Sequence, residues 1–183
     1  MKEIALHILD IVENSLDAGA TAIDVLVDDD PAGNRLRVSV RDDGRGMDAR
    51  TLAAIDDPFV TSRTTRVAGL GVPLFKEAAE ACNGRLEVRS APGQGTTLEA
   101  EFQRDHIDRM PLGDLPGTLL GLVVGRPEIH WRFRYRAGGE TFSFDSDPIR
   151  QALGDVPLSE PAALRCIRET LEEGFRSAQR AAA

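Results

Sequence analysis

Along the first twenty residues, Ile4, Ala5, Ile8, Leu9, Ile11, Val12 and Leu16 recur at helical spacing, and Gly19 follows as a helix terminator. The spacing predicts a helix over about residues 2–18. "ATAIDVLVDDD" and "NRLRVSVRDDG" then alternate with period two across the turn-rich "DDDPAGN", which predicts a hairpin. "MDARTLAAI" reads as a short helix and "GVPLFKEAAEACNG" as a longer one stopped by Gly84. "GRLEVRSAPGQGTTLEAEF" is a second hairpin turning around Pro92, Gly93 and Gly95. The order to residue 104 is α-β-β-α-α-β-β.

The pattern restarts after "QRDHIDRMPLGDLPG", so residues 105–183 are expected to form a small α+β appendage of a helix, a hairpin and two helices. Trp131, Phe133 and Tyr135 alternate with Arg132, Arg134 and Arg136. With Gly138-Gly139 as a two-residue turn, Tyr135 faces Phe142, Phe133 faces Phe144, Arg134 meets Ser143 and Arg132 meets Asp145. Alternating arginine and aromatic residues also suit a nucleic-acid platform. Acidic partners in the hairpin's own second strand favour a half-buried hairpin with cross-strand charge pairing. The aromatic face is expected to pack on the first domain or on a second subunit. In the last helix Ala163, Cys166, Ile167, Leu171 and Phe175 form an apolar stripe suited to core packing, with homodimerisation as the alternative.

Composition narrows the classes. The 183 residues suffice for one domain with an appendage, and 42% hydrophobic content supports a packed core. A formal net charge of −8 argues against a general polyanion binder, so no nucleic acid is expected. The two cysteines, Cys82 and Cys166, have no metal-ligand spacing. The start carries acidic residues inside its apolar part, and no apolar run reaches membrane-spanning length. The expectation is a cytoplasmic protein without a membrane anchor.

Candidate chemistry begins on the first helix. Glu3, His7, Asp10, Asn14 and Asp17, spaced four, three, four and three, form a narrow polar stripe on a helix apolar almost all round. Such a helix is expected to be largely buried, and an uncompensated buried polar group costs roughly 2–7 kcal/mol. Side chains, or a ligand and a metal, must satisfy the stripe. His7 reads either as a partly exposed helix histidine or as a group tuning Asp10. Glycine clusters "DDGRGM", "GLGVP" and "GQGTT" mark sharp turns or close approaches, and the second precedes a helix whose N–H groups suit phosphate.

Taken in order, these segments resemble the ATP-binding domain shared by gyrase, Hsp90, histidine kinases and MutL, the GHKL superfamily. "ENSLDAGAT" resembles the N-box, "DDGRGM" the first glycine box, "DPFVTSRT" the segment before the ATP lid, and "GLGVPLFKEAAEACNGRLEVRSAPGQGTTLEAEF" the last two glycine boxes. The resemblance covers residues 1–104 and implies a Bergerat-type fold, an α/β two-layer sandwich with helices on one face of a mixed sheet. It implies ATP and Mg2+ as cofactors. Asn14 matches the asparagine that holds the magnesium; Asp42 matches the acceptor for the adenine amino group, with Gly44, Gly46 and Met47 beside the base. Gly69, Leu70 and Gly71 match the lid residues at the phosphates, Arg63 a basic phosphate contact, and Thr96 or Thr97 the threonine near adenine. Asp17 is either a helix-terminal hydrogen bond or a water-mediated nucleotide contact. Asp10 stands where hydrolysing relatives carry glutamate; it has the charge but one methylene less reach, which implies binding and leaves catalysis open. Pro73 falls in the first turn of its helix, where a missing N–H is tolerated.

No acceptor histidine on a helical hairpin precedes the N-box, and the lid is short, which argues against autophosphorylation and against a large clamp ATPase. The expectation is a stand-alone regulatory module with a protein partner, of the anti-sigma serine kinase type. The alternatives are a nucleotide-sensing module with little catalysis, or the catalytic half of a split histidine kinase.

Overall fold

The computed structural model describes residues 3–55 and 71–181. The elements are α1 (Ile4–Asp17), β1 (Ala22–Asp30), β2 (Arg35–Asp42), α2 (Ala49–Ala53), α3 (Gly71–Glu80), β3 (Arg85–Ser90) and β4 (Thr96–Gln103). They are followed by α4 (Leu115–Gly125), β5 (His130–Ala137), β6 (Glu140–Asp145), α5 (Ser146–Leu153) and α6 (Pro161–Ala181). Among the described residues no helix is long and apolar enough to cross a membrane.

The strands form one sheet in the order β3-β4-β2-β1-β5-β6, with β1 and β5 parallel and the other pairs antiparallel. Period two gives this sheet two unlike faces. Val25 and Val27 of β1 lie beside Val40 and Val38 of β2 and beside Phe133 and Tyr135 of β5, and this face is buried. The apolar residues of α1, α3, α4 and α6 close over it in the same core cluster. The result is a two-layer α/β sandwich around a mixed sheet.

The opposite face is charged, and its sign alternates from strand to strand. Arginines of β3, β2 and β5 flank carboxylates of β4 and β1: Arg85 and Arg37 lie 3.5 and 3.6 Å from Glu101, Arg35 3.4 Å from Asp30, and Arg132 2.6 Å from Asp24. Arg132 of β5 thus belongs to an ion-pair laminate, which supports the charge-pairing reading over the nucleic-acid platform at that position.

α1 ends at Ala18 as the sequence requires. Gly19 takes φ 76°, its N–H reaches the Leu16 carbonyl at 2.9 Å, and the Ala20 N–H reaches Ser15 at 3.1 Å. These two bonds satisfy carbonyls that the helix leaves open. α3 stops at Glu80, earlier than the glycine alone suggested, because Asn83 supplies the left-handed residue at φ 53°. Gly84 serves a different purpose: a side chain there would overlap the Glu101 backbone.

The hairpin of β5 and β6 has the register expected from the two-glycine turn, with Tyr135 opposite Phe142 and Phe133 opposite Phe144. Gly138 and Gly139 have φ of 56° and 90°, as a two-residue hairpin turn with both central residues left-handed requires. It joins the sheet through β1 by edge pairing, which corrects the expectation that it docks by its aromatic face. That face is covered by α6, whose Phe175 ring stacks 4.9 Å from Phe133 and 4.7 Å from Tyr135. Gly174 permits the approach, since a Cβ there would overlap the Phe142 ring. The buried stripe of α6 is Ala163, Ile167, Leu171, Phe175 and Ala178; Cys166, expected within it, is exposed. The register also sets Arg132 opposite Asp145 as expected, while the Arg132 guanidinium pairs with Asp24 of β1 and the Asp145 carboxylate with His130.

Candidate functional site

The site is built around the end of β2. Asp42 is the last residue of that strand on its buried face, opposite Thr96 of β4, and is 7% exposed. Its Oδ1 accepts from the Gly44 N–H at 2.9 Å and the Thr96 N–H at 3.2 Å, while Oδ2 accepts from the Ser15 hydroxyl at 2.9 Å. An ionised carboxylate offers about four acceptor sites, so three internal donors fix its orientation and leave roughly one for an external donor.

The loop after Asp42 is clamped from two sides. The Arg45 N–H bonds the Ala18 carbonyl at the end of α1, and the Arg45 carbonyl accepts from the Gly93 N–H at 2.7 Å. The Met47 N–H donates to Ser90 Oγ at 2.9 Å. Close approach dictates the glycines: a Cβ on Gly44 would lie 3.0 Å from the Ala18 Cβ and from Asp42 Oδ1. On Gly46, at φ 65°, it would overlap the Ala91 carbonyl, and on Gly95, at φ 73°, the Asp42 carbonyl.

The second half of the site lies where α1 meets α3. Gly71 opens α3, and a Cβ on it would stand 3.1 Å from the Asp10 Cβ, 3.6 Å from Asp10 Oδ2 and 3.8 Å from Asn14 Nδ2. Asp10 and Asn14, both half-buried, therefore lie against the first described residue of α3, on the positive side of that helix's dipole. Such an end attracts anions.

The polar stripe of α1 is thus divided among four settings. Asp10 and Asn14 meet at Gly71, and Glu3 packs beside Gly113, where no other side chain fits. Asp17 is exposed, with its carbonyl accepting from Arg45 Nη1 at 3.1 Å. His7 is corrected on both counts: it is 2% exposed, not partly solvated, and its ring stacks flat on Phe75 of α3 at 4.7 Å instead of bonding Asp10. Its Nδ1 is buried without a hydrogen-bond partner, and burial pushes its pKa down to about 4.

Of the expected site residues, Asp42, Gly44, Gly46, Met47 and Thr96 converge, as do Asp10, Asn14 and Gly71. Thr97 lies on the charged face of the sheet between Arg41 and Arg89, so Thr96 is the threonine beside Asp42. Arg63, Gly69 and Leu70 lie outside the described residues. Ser15 and Ser90 escaped the sequence reading. The available signal for Ser15 is a hydroxyl on the buried face of α1, which needs an acceptor; besides the Ile11 carbonyl of its own helix at 3.3 Å it finds Asp42.

The comparisons with known proteins bear on family and fold. The family model described as histidine kinase-, DNA gyrase B-, and HSP90-like ATPase matches residues 2–106, more than half of the chain. The chain belongs to this ATPase family. Within it, the sensor protein kinase FleS of Pseudomonas aeruginosa is 42% identical over 89 residues, 49% of this chain and 22% of FleS. The DNA mismatch repair protein MutL of Halobacterium salinarum is 36% identical over 163 residues, 82% of this chain and 24% of that protein. Among solved structures, the N-terminal domain of a DNA repair protein superposes with a TM-score of 0.61 at 13% identity, over 96% of this chain and 59% of that one. The Aquifex aeolicus MutL ATPase domain complexed with ADP gives 0.53 at 13% identity, over 94% and 70%. These structural likenesses concern the fold. The chain spans about a quarter or less of the length of the two curated relatives named here.

Proposed function

We propose that this member of the ATPase family binds ATP with Mg2+ and uses that binding to regulate a partner protein, acting on it as a protein kinase of the anti-sigma-factor type. The observation that carries the reading is Asp42, a carboxylate held by three internal donors with an acceptor site to spare, beneath a loop whose glycines admit no side chain. The adenine amino group is a donor of the right kind. Residues 1–104 form the nucleotide-binding unit, and 105–183 complete its sheet and core.

Asn14 is assigned to Mg2+, whose charge would offset that of the phosphates. Its amide oxygen is a hard donor, and its side chain lies by Gly71 of α3, where a Cβ would stand 3.1 Å from the Asp10 Cβ and where the N-terminal side of a helix suits a phosphate group. Gly69, Leu70 and Arg63 are assigned phosphate contacts, Met47 and Thr96 contacts around the base, and Asp17 a water-mediated one. Asp10 is the base: its carboxylate takes the proton from an attacking hydroxyl as the terminal phosphoryl group passes to that oxygen and ADP departs. FleS, by name a sensor protein kinase, supports phosphoryl transfer to a protein as the outcome.

Calorimetric titration with ATP and ADP, with and without Mg2+, tests the binding. Asp42→Asn is expected to weaken both nucleotides roughly tenfold or more, the loss typical of a buried hydrogen bond to a charged group. Asn14→Ala is expected to abolish the gain from Mg2+. Absence of binding at millimolar nucleotide overturns the proposal. Transfer of label from γ-labelled ATP to a partner, abolished by Asp10→Asn with binding retained, separates the kinase from a nucleotide sensor.

A further inference from the structure

His130 opens β5 on the charged face of the sheet, opposite in orientation to the buried Trp131 beside it. Both of its ring nitrogens face carboxylates. Nε2 lies 2.9 Å from Asp145 Oδ1 at the end of β6, and Nδ1 lies 3.5 Å from Asp147 Oδ2 in the first turn of α5. One ligand atom from each of these three residues falls within 4.8 Å of the others.

A neutral imidazole has one N–H and one lone pair. In the tautomer that donates Nε2–H to Asp145, the lone pair on Nδ1 and an oxygen of Asp147 stand on either side of one gap. A proton on Nδ1 or a metal ion could fill it, but 3.5 Å is longer than the roughly 2.7–2.9 Å of a charge-assisted N–H···O bond, so the gap suits a metal ion better. Their separation of 3.5 Å is close to the edge of a coordination tetrahedron with bonds of about 2.1 Å, the length zinc takes to nitrogen and carboxylate oxygen. Asp145 behind Nε2 reproduces the carboxylate that commonly orients a metal-bound histidine. Asp147 pairs with Arg150 through its other oxygen, Oδ1, so Oδ2 remains turned to the ring.

From this juxtaposition the geometry points to a divalent transition-metal site of the zinc class. His130 Nδ1 and Asp147 Oδ2 are the ligands, Asp145 positions the ring, and water fills the remaining coordination. The site joins the end of the β5–β6 hairpin to α5. It lies on the face of the sheet opposite Asp42, and so is separate from the proposed nucleotide pocket.

Zinc titration of the full chain in a Cys166→Ser background, by calorimetry at neutral pH without nucleotide, tests the assignment. One saturable equivalent is expected. His130→Gln and Asp147→Asn should abolish it, Asp145→Asn should weaken it roughly tenfold or more, as loss of an orienting partner does, and Arg150→Gln should tighten it by removing a competing cation. His106→Gln should leave it unchanged. Thermal melts of each variant without metal identify any that fail to fold, and zinc should raise the melting temperature of the parent but not of His130→Gln. Absence of saturable zinc binding, or binding that survives His130→Gln, overturns the site.

Discussion

His7 gives the sharpest quantitative expectation. Its imidazole is buried against Phe75, with Nδ1 unpaired and a pKa lowered by burial from 6.5 to about 4. The unfolded chain therefore takes up the proton first as pH falls. Between 6.5 and 4 the unfolded state binds more protons than the native one, so stability rises with pH across this window and is lost on acidification. The gap of about 2.5 pKa units corresponds to about 3 kcal/mol once both values are passed, and to about 2.5 kcal/mol by pH 4.5. His7→Leu removes this linkage and the orphaned nitrogen, at the cost of a ring stack worth roughly 0.5–1.5 kcal/mol. The two effects leave the variant within about 1 kcal/mol of the parent at pH 7.5, because an unsatisfied buried polar group itself costs about 1–3 kcal/mol. By pH 4.5 it is expected to be more stable than the parent by about 2 kcal/mol. Urea unfolding of both proteins at several pH values between 7.5 and 4.5 reads the difference directly, since the carboxylates common to both cancel. A stability difference constant across that range refutes the argument, for it would mean that native His7 titrates as a solvated imidazole.

Other outcomes follow from the packing and the charges. Phe175→Ala removes the ring that stacks on Phe133 and Tyr135 and is expected to cost about 3–5 kcal/mol, measured by denaturant unfolding. Gly174→Ala drives a methyl into the Phe142 ring and should destabilise by about 1–3 kcal/mol, whereas Gly121→Ala, with open space around it, should be neutral or slightly stabilising. Ser15→Ala leaves Asp42 Oδ2 without its internal donor; nucleotide affinity should fall several-fold while the fold persists. Arg132→Ala breaks an exposed pair with Asp24, so its cost should stay under about 1 kcal/mol and shrink further in 1 M salt.

Local signals in the chain were decisive where chemistry and geometry coincide. The Schellman end of α1 and the left-handed turn at Gly138-Gly139 follow from residues that few other side chains can replace, so pattern alone places them. The register of β5 with β6 followed from the turn, because a two-residue connection leaves one pairing that keeps the aromatics on one face. Pairing of β5 with β1 is long-range, and nothing local in "EIHWRFRYRA" names its neighbour. Only the alternation of arginine on β5 with aspartate on β1 hints at it, and that hint becomes legible once strand order is known. For a related reason, helical spacing puts His7 on the polar stripe, whereas Phe75 of α3, 68 residues along the chain, turns that position into core.

The division of the α1 stripe explains how one helix serves both stability and chemistry. α3 crosses it so that Phe75 covers His7 and Gly71 meets Asp10 and Asn14. The His7–Phe75 stack is thus one of the core contacts that hold α3 against the helix carrying the two polar side chains that the proposed reaction needs. Loosening that contact should disturb the site without touching either residue. Phe75→Leu keeps the burial but loses the stack, and is expected to weaken Mg2+-dependent nucleotide binding more than binding without the metal, because Asn14 and Gly71 lose their register while Asp42, held by β4 and Ser15, keeps its own. Equal losses with and without Mg2+ would show that α3 does not set the geometry at Asn14.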